Sequence, residues 1–273
     1  SGTITTQDEF IGLSSNATIS GDITNSGTIT AQEQGFEMYG NNTTISGAIT
    51  NSGAITAGEE AFELDDNDTI SGAITNSGTI TAGEEAFELL VGSDISGAIT
   101  NSGTITAGAD AFLVNASTIS GGVNNSGTIT SATNAFNIIN ATAPIAITNS
   151  GLIDGAVILD HSTLTLEGTT GRVTGAVSGG TDSTVTVNGT FTTENTFSVD
   201  NFAINAGGRL NIGHGVTSTS GLNNAGTLAV ASGVNATVTG NYTQAAGGNF
   251  EVNVSAADNF GTIAITGTVD LSA

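Results

Sequence analysis

Carboxylates are the one abundant reactive group in this sequence, and many come in pairs. Asp8 and Glu9, Glu59 and Glu60, and Glu84 and Glu85 are adjacent acids; Asp110 falls in the same register, and Glu37, Glu63 and Glu88 each follow a phenylalanine. Paired carboxylates can share general-acid and general-base roles in glycoside hydrolysis, or gather oxygen ligands around Ca²⁺. The first chemistry needs one special environment that separates two pKa values. Here one environment recurs several times, which points to a repeated acidic surface. Other candidate groups are sparse. His161 and His214 each stand in a polar stretch rich in Gly or Ser, and Arg172 and Arg209 are the only basic residues apart from them. There is no Gly-x-Ser-x-Gly elbow and no His-Glu-x-x-His motif, and the lack of cysteine removes thiolate catalysis, thiolate metal sites and disulfides.

The elements that must position these acids are set by an internal repeat of about 25 residues. An Asn-Ser-Gly step begins at Asn25, Asn51, Asn76, Asn101, Asn125 and Asn149, and Ser1-Gly2-Thr3-Ile4-Thr5 is the same step without its Asn, so the chain is expected to start in mid-repeat. Short β-favouring triplets alternate with Gly and Asn, a strand-and-turn pattern. Three strands per coil are predicted. The first carries Ile23, Ile49, Ile74, Ile99 and Val123; the second Ile29, Ile55, Ile80, Ile105 and Ile129; the third Phe10, Phe36, Phe62, Phe87, Phe112 and Phe136.

If the coils stack in register, each set becomes a buried ladder at the spacing of hydrogen-bonded strands, about 4.8 Å. The fold class expected is therefore all-β: a right-handed parallel β-helix of roughly 11 coils. Asn tolerates the left-handed backbone region and Gly enters it readily, so Asn-Ser-Gly is expected to bend the chain between walls, with the Asn side chains forming an amide ladder from coil to coil. Segments such as Tyr39 to Thr44 and Asp65 to Thr69, where the period drifts, are expected to be loops. Regular repeats are expected over 1–151 and irregular coils of the same solenoid over 152–273.

By the same alignment Glu37, Glu59, Glu60, Glu63, Glu84, Glu85, Glu88 and Asp110 form an outward acidic wall. Like charges facing each other on adjacent strands cost about 0.2–1 kcal/mol per pair. Such a wall either binds Ca²⁺ weakly or meets a cationic partner, or it is a solvated face that keeps the rod soluble and blocks lateral strand pairing. No other cofactor is expected. Twenty-five acidic residues against two arginines, a formal net charge of −23, exclude a basic patch for nucleic acid or for an anionic membrane.

Residues 224–273 carry a resemblance. Across the start of the segment the chain reads Asn223-Asn224-Ala225-Gly226-Thr227-Leu228-Ala229-Val230, and it continues with Gly240-Asn241-Tyr242-Thr243-Gln244, Gly247-Gly248, Phe250 to Val254 and Gly261 to Val269. This order is similar to the C-terminal, autochaperone-like part of the passenger of type Va bacterial autotransporters. The resemblance implies a β-helical passenger exported through the outer membrane by a C-terminal β-barrel, folding from its C-terminal coils. It also implies an extracellular location, on the bacterial surface or secreted, with membrane contact only through a barrel that is absent from this chain.

The function expected is non-enzymatic: adhesion, autoaggregation or biofilm formation by multivalent contact with other copies of the chain or with a host or environmental surface ligand. Two alternatives stand beside it. One is a structural stalk or fibre component. The other is a glycan-active enzyme in the irregular coils, near Asp154, Asp160 and His161 or around Glu194 and Asp200.

Overall fold

The computed structural model describes residues 2–271; Ser1, Ser272 and Ala273, at the ends of the repeat and of the resembling segment, lie outside the described residues. The chain is a parallel β-solenoid of about 11 turns, ~24 residues each, with no helix among the described residues. Strand Ile74–Asn76 lies parallel between Ile49–Asn51 and Ile99–Asn101, and Thr79–Ala82 lies between Ala54–Ala57 and Thr104–Ala107. Identical residues face one another, Ile on Ile and Asn on Asn. Alternation along each strand sends Ile80 and Ala82 into the core and leaves Thr79 and Thr81 outside.

The phenylalanine column is the centre of the core. Phe36, Phe62, Phe87, Phe112 and Phe136 are buried, with ring centroids 4.7 Å apart in each successive pair. Strand spacing dictates this separation, so the rings stack face to face. Phe10 departs from the expected alignment. Ile11 is the residue paired with Phe36, and Phe10 meets the Phe36 ring edge-on at 5.7 Å.

Beside the three expected strands four consecutive regular coils have a fourth, only two residues long. Thr44–Ile45, Thr69–Ile70 and Asp94–Ile95 pair in parallel, continuing Thr18–Ile19, and Ile45, Ile70 and Ile95 are fully buried. The loop segments between the phenylalanine strand and this short strand carry the left-handed residues: Asn42, Asp66, Asn67, Val91 and Ala116 all have positive φ.

The Asn-Ser-Gly corner is not left-handed. Its glycines have no positive φ, and their requirement is closeness: a Cβ on Gly53 would sit 2.0 Å from the Gly27 carbonyl oxygen, and one on Gly78 2.0 Å from that of Gly53. Backbones of successive coils simply touch there.

Near Gly151 the pattern changes. Thr128–Ile139 runs as one 12-residue strand and pairs with Leu152–Leu159 across two register shifts. The walls nevertheless continue: Ile147 is followed in its column by Leu164, Val185, Phe202, Leu222 and Tyr242, all buried. At the C-terminal end the core opens, with Phe250, Val252, Val254, Phe260, Val269 and Leu271 all more than 40% exposed.

Candidate functional site

The acidic wall is built from the phenylalanine strand and the turn before it. In Phe36–Tyr39, Phe62–Leu64 and Phe87–Leu90, burial of the phenylalanine turns the next residue outward, and Glu37, Glu63 and Glu88 become direct register partners. Two residues before each of these phenylalanines the chain places Gln34, Glu60 and Glu85, with Asp110 and Asn134 in the following coils. The amide groups of Gly35, Ala61, Ala86 and Ala111 each donate to the carbonyl of the next member of this column, at 2.9–3.3 Å.

This wall is less exposed than an outward column should be. Glu60 is 7% exposed and Asp110 6%, so both are buried, and Glu37, Glu63 and Glu88 are half-buried. Glu59 and Glu85 are likewise half-buried, and Glu84 alone is exposed. The outward direction expected for the Glu37, Glu63 and Glu88 column thus goes with partial burial of its carboxylates.

Each end of the buried column is closed by amides. Gln34 Nε2 donates to Glu59 Oε2 at 2.9 Å and to Glu60 Oε2 at 3.2 Å. At the other end Asp110 accepts from the Asn134 backbone N–H and side-chain Nδ2, each at 2.9 Å, from Asn137 Nδ2 at 2.6 Å and from the Thr133 hydroxyl. Burial alone would raise Asp110; the bonds from Thr133, Asn137 and Asn134 outweigh it and hold the carboxyl below its usual value. Sequence reasoning missed these caps. Their signal was present, since Gln34 and Asn134 occupy the acid's own place in the alignment.

Between the caps the balance reverses. Burial, then the charge of nearby acids, pushes Glu63 and Glu88 up to about 7, and burial also raises Glu37, Glu60 and Glu85. Glu60, Glu84 and Glu85 place carboxylate oxygens within 4.8 Å of one another, the nearest approach to a cation cluster among the described residues. It is not a finished cage, because Glu60 already accepts from Gln34 and Glu84 faces solvent.

No known protein family, no curated protein and no solved structure matches this chain.

The six corner asparagines form a second continuous feature. From Asn25 to Asn149 each Nδ2 donates to Oδ1 of the next Asn at 2.8 Å. All but Asn25 are buried. Each Nδ2 also reaches a carbonyl one coil on, at Ala54, Thr79, Thr104, Thr128, Leu152 and Arg172 in turn. Every amide is occupied, which makes the ladder part of the frame and leaves nothing in it to bind a ligand.

The residues of the enzyme alternative fall into two groups across neighbouring coils: Asp154 near Arg172 and Glu194, and Asp160, His161 and Asp200 around Asp182, with His161 Nε2 3.8 Å from Asp182 Oδ2. Arg172 grips Glu194 with two bonds, at 2.6 and 2.8 Å, and the Arg172 hydrogen bonds hold that carboxyl down. Asp200 accepts from Thr219, Ser220 and the Asp182 backbone N–H. His161 Nδ1 lies 2.9 Å from Asp160 Oδ1, with half of its side chain exposed, and Asp154 accepts from Thr174. These carboxylates are tied to local partners on the outside of different coils.

Proposed function

We propose that this chain is a non-enzymatic extracellular rod that works by repeated contact, in adhesion, autoaggregation or biofilm formation. The single observation that carries the reading is the register of the wall: Glu37, Glu63 and Glu88 present one chemical motif three times, one strand apart, on a rigid stack. Weak contacts repeated at fixed spacing give avidity without a deep pocket. Cationic groups on a partner, or divalent cations bridging two copies, suit such a wall; a nucleic acid does not, because both arginines are engaged with Glu194 and Glu251.

The type Va autotransporter passenger is the best family reading of this rod. Its support is the β-solenoid together with the Gly240 to Gln244 segment, in which Tyr242 is the last buried member of an apolar column that exposed Val269 continues, and Asn224 Nδ2 donates to the Tyr242 hydroxyl at 3.0 Å. Placement at the bacterial surface or in the medium follows from that reading. The full precursor tests it: a signal peptide before this segment and an outer-membrane barrel after it are expected, and a trimerising tail module in place of the barrel would overturn it.

Function is tested by displaying the rod on cells and measuring aggregation with Glu37, Glu63 and Glu88 changed together to Gln. Loss of aggregation is expected. Unchanged aggregation would leave the stalk reading, in which the rod serves to hold another domain away from the cell.

A further inference from the structure

Three glutamates are stacked where, among the described residues, no positively charged side chain faces them. Glu37, Glu63 and Glu88 are Cα partners in consecutive coils, and Leu113 takes the next place in their column. The charged groups facing them are all acidic: Glu9, Glu33 and Glu59 around Glu37; Glu60 and Asp65 around Glu63; Glu60, Glu84, Glu85 and Asp65 around Glu88. The cations and imidazoles lie in later coils, with Arg172 on Glu194, Arg209 on Glu251, His161 beside Asp160 and His214 beside Thr193. Glu63 Oε2 is buried and accepts no hydrogen bond among the described residues.

Ionised, that Oε2 lacks both water and a donor, and the carboxylate faces like charges on either side. A neutral carboxylic acid there has a smaller penalty, because it carries no charge to desolvate or to repel the carboxylates one strand away. Geometry and burial therefore favour a bound proton.

We propose that the Glu37, Glu63 and Glu88 column is a proton-operated seam, which holds at least one proton in the folded rod and, on losing it, loosens the coils between Phe36 and Leu90. The direction of its pH dependence follows. Glutamate in the unfolded chain ionises near 4.5, whereas Glu63 and Glu88 in the fold are pushed up to about 7. Below the unfolded value both states are protonated and the seam's contribution is whole. As pH rises from there to about 7 the unfolded chain gives up protons that the fold retains, so stability falls throughout this window, and above it the loss is complete. This is opposite to a carboxylate held in an ion pair.

The test uses the whole chain, with a chelator present and ionic strength fixed. Thermal unfolding is followed from about pH 5 to about pH 8, for the native sequence and for E63Q/E88Q. The native protein should melt several degrees lower at the alkaline end; the double variant should lose at least half of that fall and melt higher than the native protein there. A native melting temperature that stays level or rises over this range overturns the proposal, as does a variant that keeps the full fall. Should the variant misfold, carboxyl-carbon NMR of native Glu63 and Glu88 decides it: midpoints at or above about 6 bear the seam out, and lower ones refute it. None of these readings depends on the rod being an adhesin.

Discussion

Asn76 Nδ2 donates to Asn101 Oδ1 at 2.8 Å, and the same bond links every neighbouring pair of corner asparagines from Asn25 to Asn149. In such a chain an interior member serves two partners and a terminal member one. Asn76→Leu removes the acceptor of Asn51 and the donor to Asn101, leaving two buried polar groups short of a bond. Of the ladder bonds Asn149→Leu removes only the acceptor of Asn125; each variant also loses its Nδ2 bonds to backbone carbonyls, at Gly78 and Thr104 for Asn76 and at Gly151 and Arg172 for Asn149, and Asn149 already lies beside Leu166 in the same column. An unsatisfied buried group costs about 1–3 kcal/mol. Chemical denaturation should therefore show Asn76→Leu as the more damaging change, by about 1 kcal/mol or more.

The corner glycines answer a steric question and not a conformational one. A Cβ on Gly78 would lie 2.0 Å from the Gly53 carbonyl oxygen and 2.8 Å from the Ser52 carbonyl carbon, backbone atoms that cannot swing aside. Gly21 has open space where its Cβ would go. Gly78→Ala should destabilise the rod by about 3 kcal/mol or more, whereas Gly21→Ala should stay within about 0.5 kcal/mol. Equal melting temperatures for the two variants would contradict the close stacking.

These two features also mark how far the sequence can be read. The Ile, Phe and Asn columns are visible because the repeat keeps residue type as well as spacing, and stacking turns identical residues into ladders. Residue preference points to a left-handed bend at Asn-Ser-Gly, but the bend lies in the loops, at Asn42, Asp66, Asn67 and Val91. The two-residue strands around Ile45 and Ile70 are too short to stand out. Beyond Gly151 the asparagine column passes through Leu166, Val187 and Ile204 before it returns as Asn224, so position is kept while polarity is not. No alignment by residue type follows that switch. Depth is the hardest property to read in the acidic wall: alternation gives the outward direction of Glu63, while its half-burial depends on neighbouring coils.

A buried acid elsewhere in the rod supplies a further prediction. Asp68 is fully buried, and its Oδ1 accepts from the Thr43 backbone N–H at 2.7 Å. In the coils that follow, Ser93 and Ser117 fill the same role for the backbone N–H groups of Asp68 and Ser93, each at 3.2 Å. Burial raises the Asp68 carboxyl, so ionisation at neutral pH counts against the fold. Asp68→Ser keeps an acceptor and removes the charge. The variant should melt higher than the native protein at neutral pH, with the gain shrinking as pH falls toward the ordinary aspartate value, about 3.9.

Asp110 should behave in the opposite sense within the same wall. It is buried, but its oxygens accept from Thr133, Asn134 and Asn137, and these bonds, outweighing burial, lower its carboxyl. For a carboxyl lowered in the fold, the stabilisation is present above the unfolded value and is lost as pH falls through the folded one. Acid should therefore loosen the coils at Asp110, while a rise in pH from about 4.5 to about 7 loosens those at Glu63 and Glu88. Asp110→Asn keeps the shape yet turns one accepting oxygen into a donor that faces the Asn134 and Asn137 amides. At neutral pH it should cost about 1–3 kcal/mol, and it should remove much of the acid sensitivity. Amide hydrogen exchange can locate both effects: faster exchange near Ala111 and Asn134 on the acid side of the stability maximum, and near Phe62 and Phe87 on the alkaline side, after correction for intrinsic rates. Exchange that quickens uniformly along the rod on both sides would show that the two ends of the wall do not titrate separately.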